Sequence, residues 1–405
     1  MTQFQSRVNT ASEEFERNRA DMLAAIDTLR DVLDRAATLS DKALPKFQRR
    51  GQLLPRERLS RVLDPGMPFL EILNMAGFMV DDPDRETAVP GCNTICGIGY
   101  ISGVRCMLMV DDSGINAGAM TALSARKGIR AMEIAREKKL PFVHLVESAG
   151  ANLLEYKVEM WMEGGTIFAS LARLSAAGVP TFVVLHGPSA ACGAYMPGMS
   201  DYVIGVKGNG KAYLAGPALL KAATGEEADD EELGGAEMHS RISGLVEYLA
   251  EDDAHGLAIA RELMQALDWN RLCPRMPPAA YEEPVLDIDE LAGIVPKDYR
   301  QPYDVREVVA RIVDGSDFLD FKPSYGPATV CMQAKVYGMP VGIIGNNGPI
   351  DNAGATKSAQ FIQLCDQSDI PLVFLQNITG YMVGTEVEQG GMIKNGAKMI
   401  QAVTN

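Results

Sequence analysis

Four pairs of small residues stand where the backbone itself could do chemistry: Ala149-Gly150, Gly193-Ala194, Thr379-Gly380 and Gly396-Ala397. Each lies where an apolar run ends or a helical pattern begins. At a helix N-terminus the first main-chain N–H groups are free to donate, and the helix dipole favours negative charge. Two such amides converging on one point make an oxyanion hole, and losing one donor costs ~3 kcal/mol of transition-state stabilisation. The pattern suits a reaction in which a carbonyl, such as that of a thioester, passes to an enolate. The plainer account is that small residues only permit turns and tight packing. Four pairs at matching places weigh against it.

Other chemistries find less support. Gly97-Ile98-Gly99 lacks the third Gly of a dinucleotide fingerprint, and a strand pattern follows it. P-loop, HExxH and EF-hand patterns are missing. Gly187-Pro188-Ser189 resembles a nucleophile elbow, but the GxSxG spacing fails at Ala191. His144, His186, His239 and His255 each read as structural histidines, although a Ser189/His hydrolase stays open. Cys192, at a predicted helix start, is either a thiolate nucleophile or a small buried thiol. Cys92 and Cys96 have no neighbouring His or Cys to complete a metal site, so no metal is expected. The basic segment Lys46–Arg61 reads as a solvated linker and helix start, or as a phosphate clamp together with Arg126, Lys127 and Arg130.

The elements that must position these residues are written twice. Leu140–Gly150 (LPFVHLVESAG) and Ile370–Gly380 (IPLVFLQNITG) each open on Pro, continue as a buried-strand pattern and break into small residues ending on Gly. Upstream, the apolar strands Gly103–Val110 and Gly338–Ile344 each lead through a Gly/Asn/Asp-rich loop. Predicted helices follow at Ser124–Glu137 and Lys357–Gln367. Downstream, Glu163-Gly164-Gly165 is echoed by Gln389-Gly390-Gly391, each opening another helical pattern. Two copies of one βαβα unit predict two domains of one fold. In the second copy the pattern stops at Asn405, inside the helix matching the one after Gly164-Gly165, so that domain is expected to be incomplete. At the other end, Thr10-Ala11-Ser12-Glu13 has capping-box spacing and opens an amphipathic helix ending near Ala37. Cys273–Pro296 is Pro-rich and aperiodic, and the acidic run Glu226–Glu232 reads as a solvated loop.

A length of 405 residues allows two or three domains. The net charge of −15 argues against nonspecific contact with nucleic acid or anionic membrane. Seven scattered Cys without a paired pattern suit reduced thiols in a cytoplasmic setting. The acidic N-terminus fits no targeting peptide, and no apolar run reaches membrane-spanning length.

ESAGANL, HGPSAACGAYMPGMSDY, LAGPALLKAATGE, ELGGAEMHSRISGLVEYLAEDD, FIQLCDQSDIPLVFLQNITGYMVG and EQGGMIKNGAKM together resemble the carboxyltransferase (β) subunit of biotin-dependent acyl-CoA carboxylases. The resemblance runs from about Gly51 to the last residue. It implies an α/β chain of two crotonase-like (ClpP/crotonase) superhelical βαβα domains. Their bounds are expected at 1–45 (N-terminal helix and linker), 46–272 (acyl-CoA side), 273–300 (linker) and 301–405 (biotin side). It implies transfer of CO2 from carboxybiotin, delivered by a biotin carboxylase/biotin carrier (α) subunit, to the enolate of an acyl-CoA. Ala149-Gly150 would hold the acyl enolate and Gly396-Ala397 the biotin ureido oxygen. Gly118, Ala119, Arg126, Lys127, Gly193, Ala194 and Tyr195 would bind the CoA thioester, and Thr379, Gly380, Tyr381, Gly390 and Gly391 would bind biotin. The family usually has Gly-Gly where this chain has Ala149-Gly150, and the added methyl narrows the approach. The assembly implied is a homo-hexamer, a trimer of dimers, with active sites between subunits. QLLPRERLSRVLDPGMPFLEI and NITGYMVG look most like the methylcrotonyl-CoA and geranyl-CoA branch, and SGINAGA and VESAGANLLEY look closer to the geranyl type. There the γ-carbon of an unsaturated thioester is carboxylated through a dienolate. Propionyl-CoA or acetyl-CoA carboxylation, a biotin-dependent decarboxylase, and a noncatalytic assembly scaffold are the alternatives.

Overall fold

In the computed structural model, which describes residues 4–80, 82–151, 158–272 and 280–404, two matching hairpins set the frame. Strands β2 (Thr94–Ile101) and β3 (Val104–Asp111) pair antiparallel from Thr94↔Asp111 to Ile101↔Val104. They turn at Ser102-Gly103, both at positive φ, as a tight two-residue hairpin of this hand requires. The Asp64 carboxylate accepts the amide hydrogens of Ser102 at 2.8 Å and Gly103 at 2.6 Å. Strands β10 (Thr329–Val336) and β11 (Met339–Asn346) repeat the register from Thr329↔Asn346 to Val336↔Met339. Their turn, Tyr337-Gly338, also has positive φ. Asp314 accepts both turn amides at 2.8 and 2.6 Å. The repeat expected from the apolar runs therefore extends to individual hydrogen bonds.

The chain divides into two units, Arg30–Arg275 and Met1–Leu29 with Met276–Asn405. The first carries an eight-stranded sheet in the order β1-β2-β3-β4-β5-β6-β8, with β7 beside β5. Here β1 is Leu70–Ile72, β4 Phe142–Ser148, β5 Thr181–Ala190, β6 Tyr202–Val206, β7 Lys211–Tyr213 and β8 Tyr248–Ala250. From β3 onward neighbouring strands run parallel, and every residue of β4 is buried. That is why the β4 stretch reads as a near-continuous apolar run rather than an alternating one. Helix α1 spans Glu13–Asp41 and α2 Pro55–Val62. Helix α3 (Ala122–Glu137) crosses from β3 to β4, α4 (Val158–Ala176) from β4 to β5, and α5 (Asp253–Ala266) follows β8. Gly97 and Gly99 lie inside β2, where a Cβ would strike Phe69 and Leu63. These glycines serve packing, in line with the rejected dinucleotide motif.

The second unit holds a four-stranded sheet in the order β12-β11-β10-β9, where β9 is Phe318–Phe321 and β12 Leu372–Leu375. Helix α6 (Val305–Val309) precedes the sheet, α7 (Asn352–Gln367) crosses from β11 to β12, and α8 (Met392–Thr404) follows. Ser12, not Thr10, caps α1, accepting the Phe15 amide hydrogen at 3.2 Å. Residues 273–279 of the expected linker lie outside the described residues. Among the described residues no helix is long and apolar enough to cross a membrane.

Candidate functional site

At the carboxyl end of β4, three segments meet around Ser148. Ala149 is exposed; Gly150 is buried at φ +82, where a Cβ would lie 2.6 Å from the Ala190 carbonyl oxygen. Only a glycine lets the strand exit pass so close to β5. The Ser148 hydroxyl donates to the Gly118 carbonyl at 3.0 Å and accepts the Gly150 amide hydrogen at 3.2 Å. The Met120 amide donates to the Gly150 carbonyl at 2.7 Å, within a parallel bridge between Met120 and Ala151. Gly118, at φ +70, would place a Cβ 2.4 Å from the Glu147 carbonyl. Gly193 faces Ser148 from the short 3₁₀ turn Ala191–Ala194. Gly118, Ala149, Gly150, Gly193 and Ala194 are thus brought together. Ala119 continues the first segment, its carbonyl accepting from Asn93 Nδ2 at 2.9 Å. Tyr195 is half-exposed and meets Phe168 edge-on at 5.5 Å.

The basic candidates divide. Arg126 is exposed on α3. Lys127 requires correction as a CoA-phosphate ligand: it is buried, and its Nζ donates to the carbonyls of Gly91 (3.1 Å) and Thr94 (2.5 Å). Burial pushes its pKa down. Within the basic segment Lys46–Arg61, Arg58 is fully buried and bound to Glu147 and Asp253, each at 2.9 Å. Arg56 pairs with Glu71 at 3.1 Å. A clamp needs these guanidiniums in solvent, and α2 turns one of them into the core.

Next to the corner, His186 Nδ1 lies 2.8 Å from Asp253. Burial, and then the Arg58 charge, push the His186 pKa down, so the folded protein disfavours the charged imidazole. Burial alone would raise Asp253, but the His186 hydrogen bond, the Arg58 charge and the Leu53 amide outweigh it and hold it at about 2. Ser189 Oγ and His186 Nε2 are both buried without partners. The serine-hydrolase alternative loses its nucleophile–base hydrogen bond. Burial raises the Cys192 thiol, which argues against an activated thiolate.

The second unit builds a similar corner with different side chains. A parallel bridge joins Ile350 to Tyr381, and the Met382 amide donates to the Ile350 carbonyl at 2.8 Å. Thr379 and Gly380 are exposed, and Tyr381 Oη donates to the Gly396 carbonyl at 3.2 Å. Gly380, Tyr381, Asn346 and Met399 line a cavity of about 200 Å³. Asn346 is buried, and its Nδ2 has no partner. Gly390 packs against Asn352, and Gly391, at φ +88, accepts the Asn395 amide hydrogen into α8. Gly396-Ala397 requires correction: the pair lies in the second turn of α8, not at its start. There the amides are taken by carbonyls four residues earlier, so they cannot converge on an external oxygen.

Sequence reasoning passed over Glu147, Asp253 and Asn346. Only Asn346 had a local signal, since it occupies in β11 the register position of Asp111 in β3.

The carboxyl transferase domain model matches residues 46–405. The chain is 45% identical over 403 residues to a probable biotin-dependent acyl-coenzyme A carboxylase beta2 subunit of Mycobacterium tuberculosis, covering 99% of this chain and 74% of that one. It is 42% identical to a probable methylcrotonoyl-CoA carboxylase beta chain of Drosophila melanogaster, covering 98% and 72%. Among solved structures, the beta subunit of P. aeruginosa geranyl-CoA carboxylase superposes with a TM-score of 0.92 at 50% identity, over 100% of this chain and 75% of that one.

Proposed function

The chain belongs to the carboxyl transferase family, and we propose that it carboxylates the γ-carbon of a branched unsaturated acyl-CoA, geranyl-CoA or 3-methylcrotonyl-CoA. The relatives that carry those acyl names support the choice of substrate. The observation that carries the chemistry is the small-residue backbone corner, closed by one parallel bridge in each unit, Met120–Ala151 and Ile350–Tyr381.

On the acyl-CoA side, assigned to 46–272, the amides around Ala149-Gly150 and Gly193-Ala194 hold the thioester oxygen as it gains charge, the Gly150 amide leaving the Ser148 hydroxyl to do so. Each donor contributes ~3 kcal/mol in the transition state. A dienolate keeps that oxygen in place while its γ-carbon reacts, so the same corner serves α- and γ-carboxylation. Gly118 and Ala119 form the adjoining wall, and Tyr195 and exposed Arg126 lie toward the rest of the thioester.

The biotin side, assigned to 301–405, fits a cyclic urea. Asn346 offers a buried amide donor without a partner beside Gly380 and Tyr381, with Thr379, Gly390 and Gly391 around the same corner. Carboxybiotin, when bound there on an α-subunit carrier, supplies both the carboxyl group and the base for the substrate proton. The chain's own part is to position, to exclude water and to stabilise the enolate oxygen. The working assembly is a homo-oligomer, a hexamer by family likeness, with the biotin carboxylase/carrier subunit.

The test is ADP release by the complex of this chain with its α subunit across acyl-CoAs from acetyl to geranyl. Highest kcat/KM is expected on the branched unsaturated thioesters. Preference for propionyl-CoA or acetyl-CoA would overturn the substrate, and release with none would overturn the activity.

A further inference from the structure

We propose that Arg58 and Glu147 are positioning residues for the acyl corner: their ion pair holds a bulge in β5 that sets Ala190–Gly193 beside Ser148–Gly150. The inference rests on the function proposed above and extends it to residues that touch neither substrate.

The register of β4 against β5 runs regularly to Val146↔Leu185 and then resumes at Ser148↔Ser189. One residue, Glu147, therefore opposes three: His186, Gly187 and Pro188. A regular ladder would have placed Gly187 opposite Ser148. The bulge draws the β5 exit back by two residues, ~7 Å of strand. Without it, neither the Ala190 carbonyl nor Gly193 would lie against Ser148–Gly150.

Side chains fill the bulge. The Glu147 carboxylate lies over Gly187, where a Cβ would come 2.5 Å from the carboxyl carbon. Arg58 binds that carboxylate through Nη1 and Asp253 through Nε, each at 2.9 Å. Gln52 Nε2 donates at 2.7 Å to the His186 carbonyl, within the stretch that bulges. Arg50 approaches Glu147 from the solvent side at 3.6 Å.

Two observations separate this cluster from a general stabiliser. Arg58 Nη2, Gln52 Oε1 and His186 Nε2 are buried without partners, and such incompletely satisfied buried charge is often neutral or costly compared with apolar packing. The second unit builds the same hairpin, cap and bridge without it. Counting back six residues from the turn-capping Asp64 gives Arg58, whereas six back from Asp314 gives Val308. Counting back four from the bridged Ala151 gives Glu147, and four from Tyr381 gives Asn377. The hairpin, cap and bridge therefore form without an Arg and a Glu at these two places.

The experiment compares Glu147→Gln and Arg58→Gln with Glu307→Gln, which weakens the buried Glu307–Arg311 pair (3.0 Å) of the other unit. Steady-state carboxylation by the complex, urea midpoints and amide hydrogen exchange over residues 146–151 and 186–194 are measured. A misplacement near 1 Å costs ~100-fold. Glu147→Gln and Arg58→Gln are expected to lower kcat by ~30- to 100-fold, with acyl-CoA KM within ~3-fold. Exchange in both segments should quicken. Glu307→Gln, at a comparable loss of midpoint, should keep kcat within ~2-fold. Equal kcat loss in all three variants, or unchanged exchange at the corner, overturns the proposal. Should Arg58→Gln fail to fold, the near-isosteric Glu147→Gln decides. A wild-type complex inactive on every acyl-CoA would overturn the function instead, and the exchange measurement would still judge the bulge.

Discussion

Gly150→Ala keeps the amide at the centre of the corner and adds only a methyl group. At φ +82 an L-residue costs ~1–2 kcal/mol. The new Cβ would stand 2.6 Å from the Ala190 carbonyl oxygen and 3.4 Å from its carbon. That neighbour is β5 backbone, paired with Tyr213 of β7, so it cannot swing away as a side-chain tip would. Relief requires a displacement of roughly 0.5–1 Å between β4 and β5, the scale at which misplacement costs ~10²-fold in rate. The expectation is a kcat ~50- to 100-fold lower, a loss of ~2–3 kcal/mol in urea unfolding, and acyl-CoA KM within ~3-fold. The assay is acyl-CoA-dependent ADP release by the complex, with the variant checked for unfolding in urea. A variant that keeps wild-type kcat would refute the reasoning, because it would show that the close approach of the two strand ends has no part in holding the reacting oxygen.

Lys127→Met removes a buried ammonium from two carbonyls and should destabilise by ~2–3 kcal/mol while leaving acyl-CoA KM within ~3-fold; a tenfold rise in KM would restore Lys127 as a phosphate ligand. The folded His186 refuses a proton that the unfolded chain accepts, so its contribution to stability is complete above ~6.5 and is lost as pH falls below that. His186→Gln should flatten the fall of the urea midpoint between about pH 7 and 5, and an unchanged slope would mean the folded imidazole is charged. Gly396→Ala gains ~1 kcal/mol of helix propensity but sets a Cβ 3.1 Å from the Tyr381 ring. It should raise KM for the biotin carrier several-fold with acyl-CoA KM unchanged, and an effect on the acyl side alone would dissociate Tyr381 from the biotin cavity.

The sequence by itself determined the repeated unit and most of its elements, because the relevant signals are local. A Pro-initiated apolar run buried on both faces is a parallel strand, and a glycine at its end marks a backbone approach. The Ala149-Gly150 exit, the helices after both Gly/Asn/Asp loops and the paired strands before them were legible on those grounds. Helix starts were less so: α7 begins at Asn352, five residues before the predicted Lys357, because Asp351 caps it by accepting the Gly354 amide hydrogen inside the loop. What the tertiary structure alone decided was the fate of charge and register. Lys127 and Arg58 looked like solvent-facing cations, and only packing against β2 and against Glu147 and Asp253 shows them turned inward. Gly396-Ala397 looked like a helix start, and only the placement of Gly391 as the cap moves it a turn inward. The β5 bulge left no mark in composition or periodicity. Strand register is settled by partners distant in sequence, and a residue three places along a strand does not know which neighbour it will face.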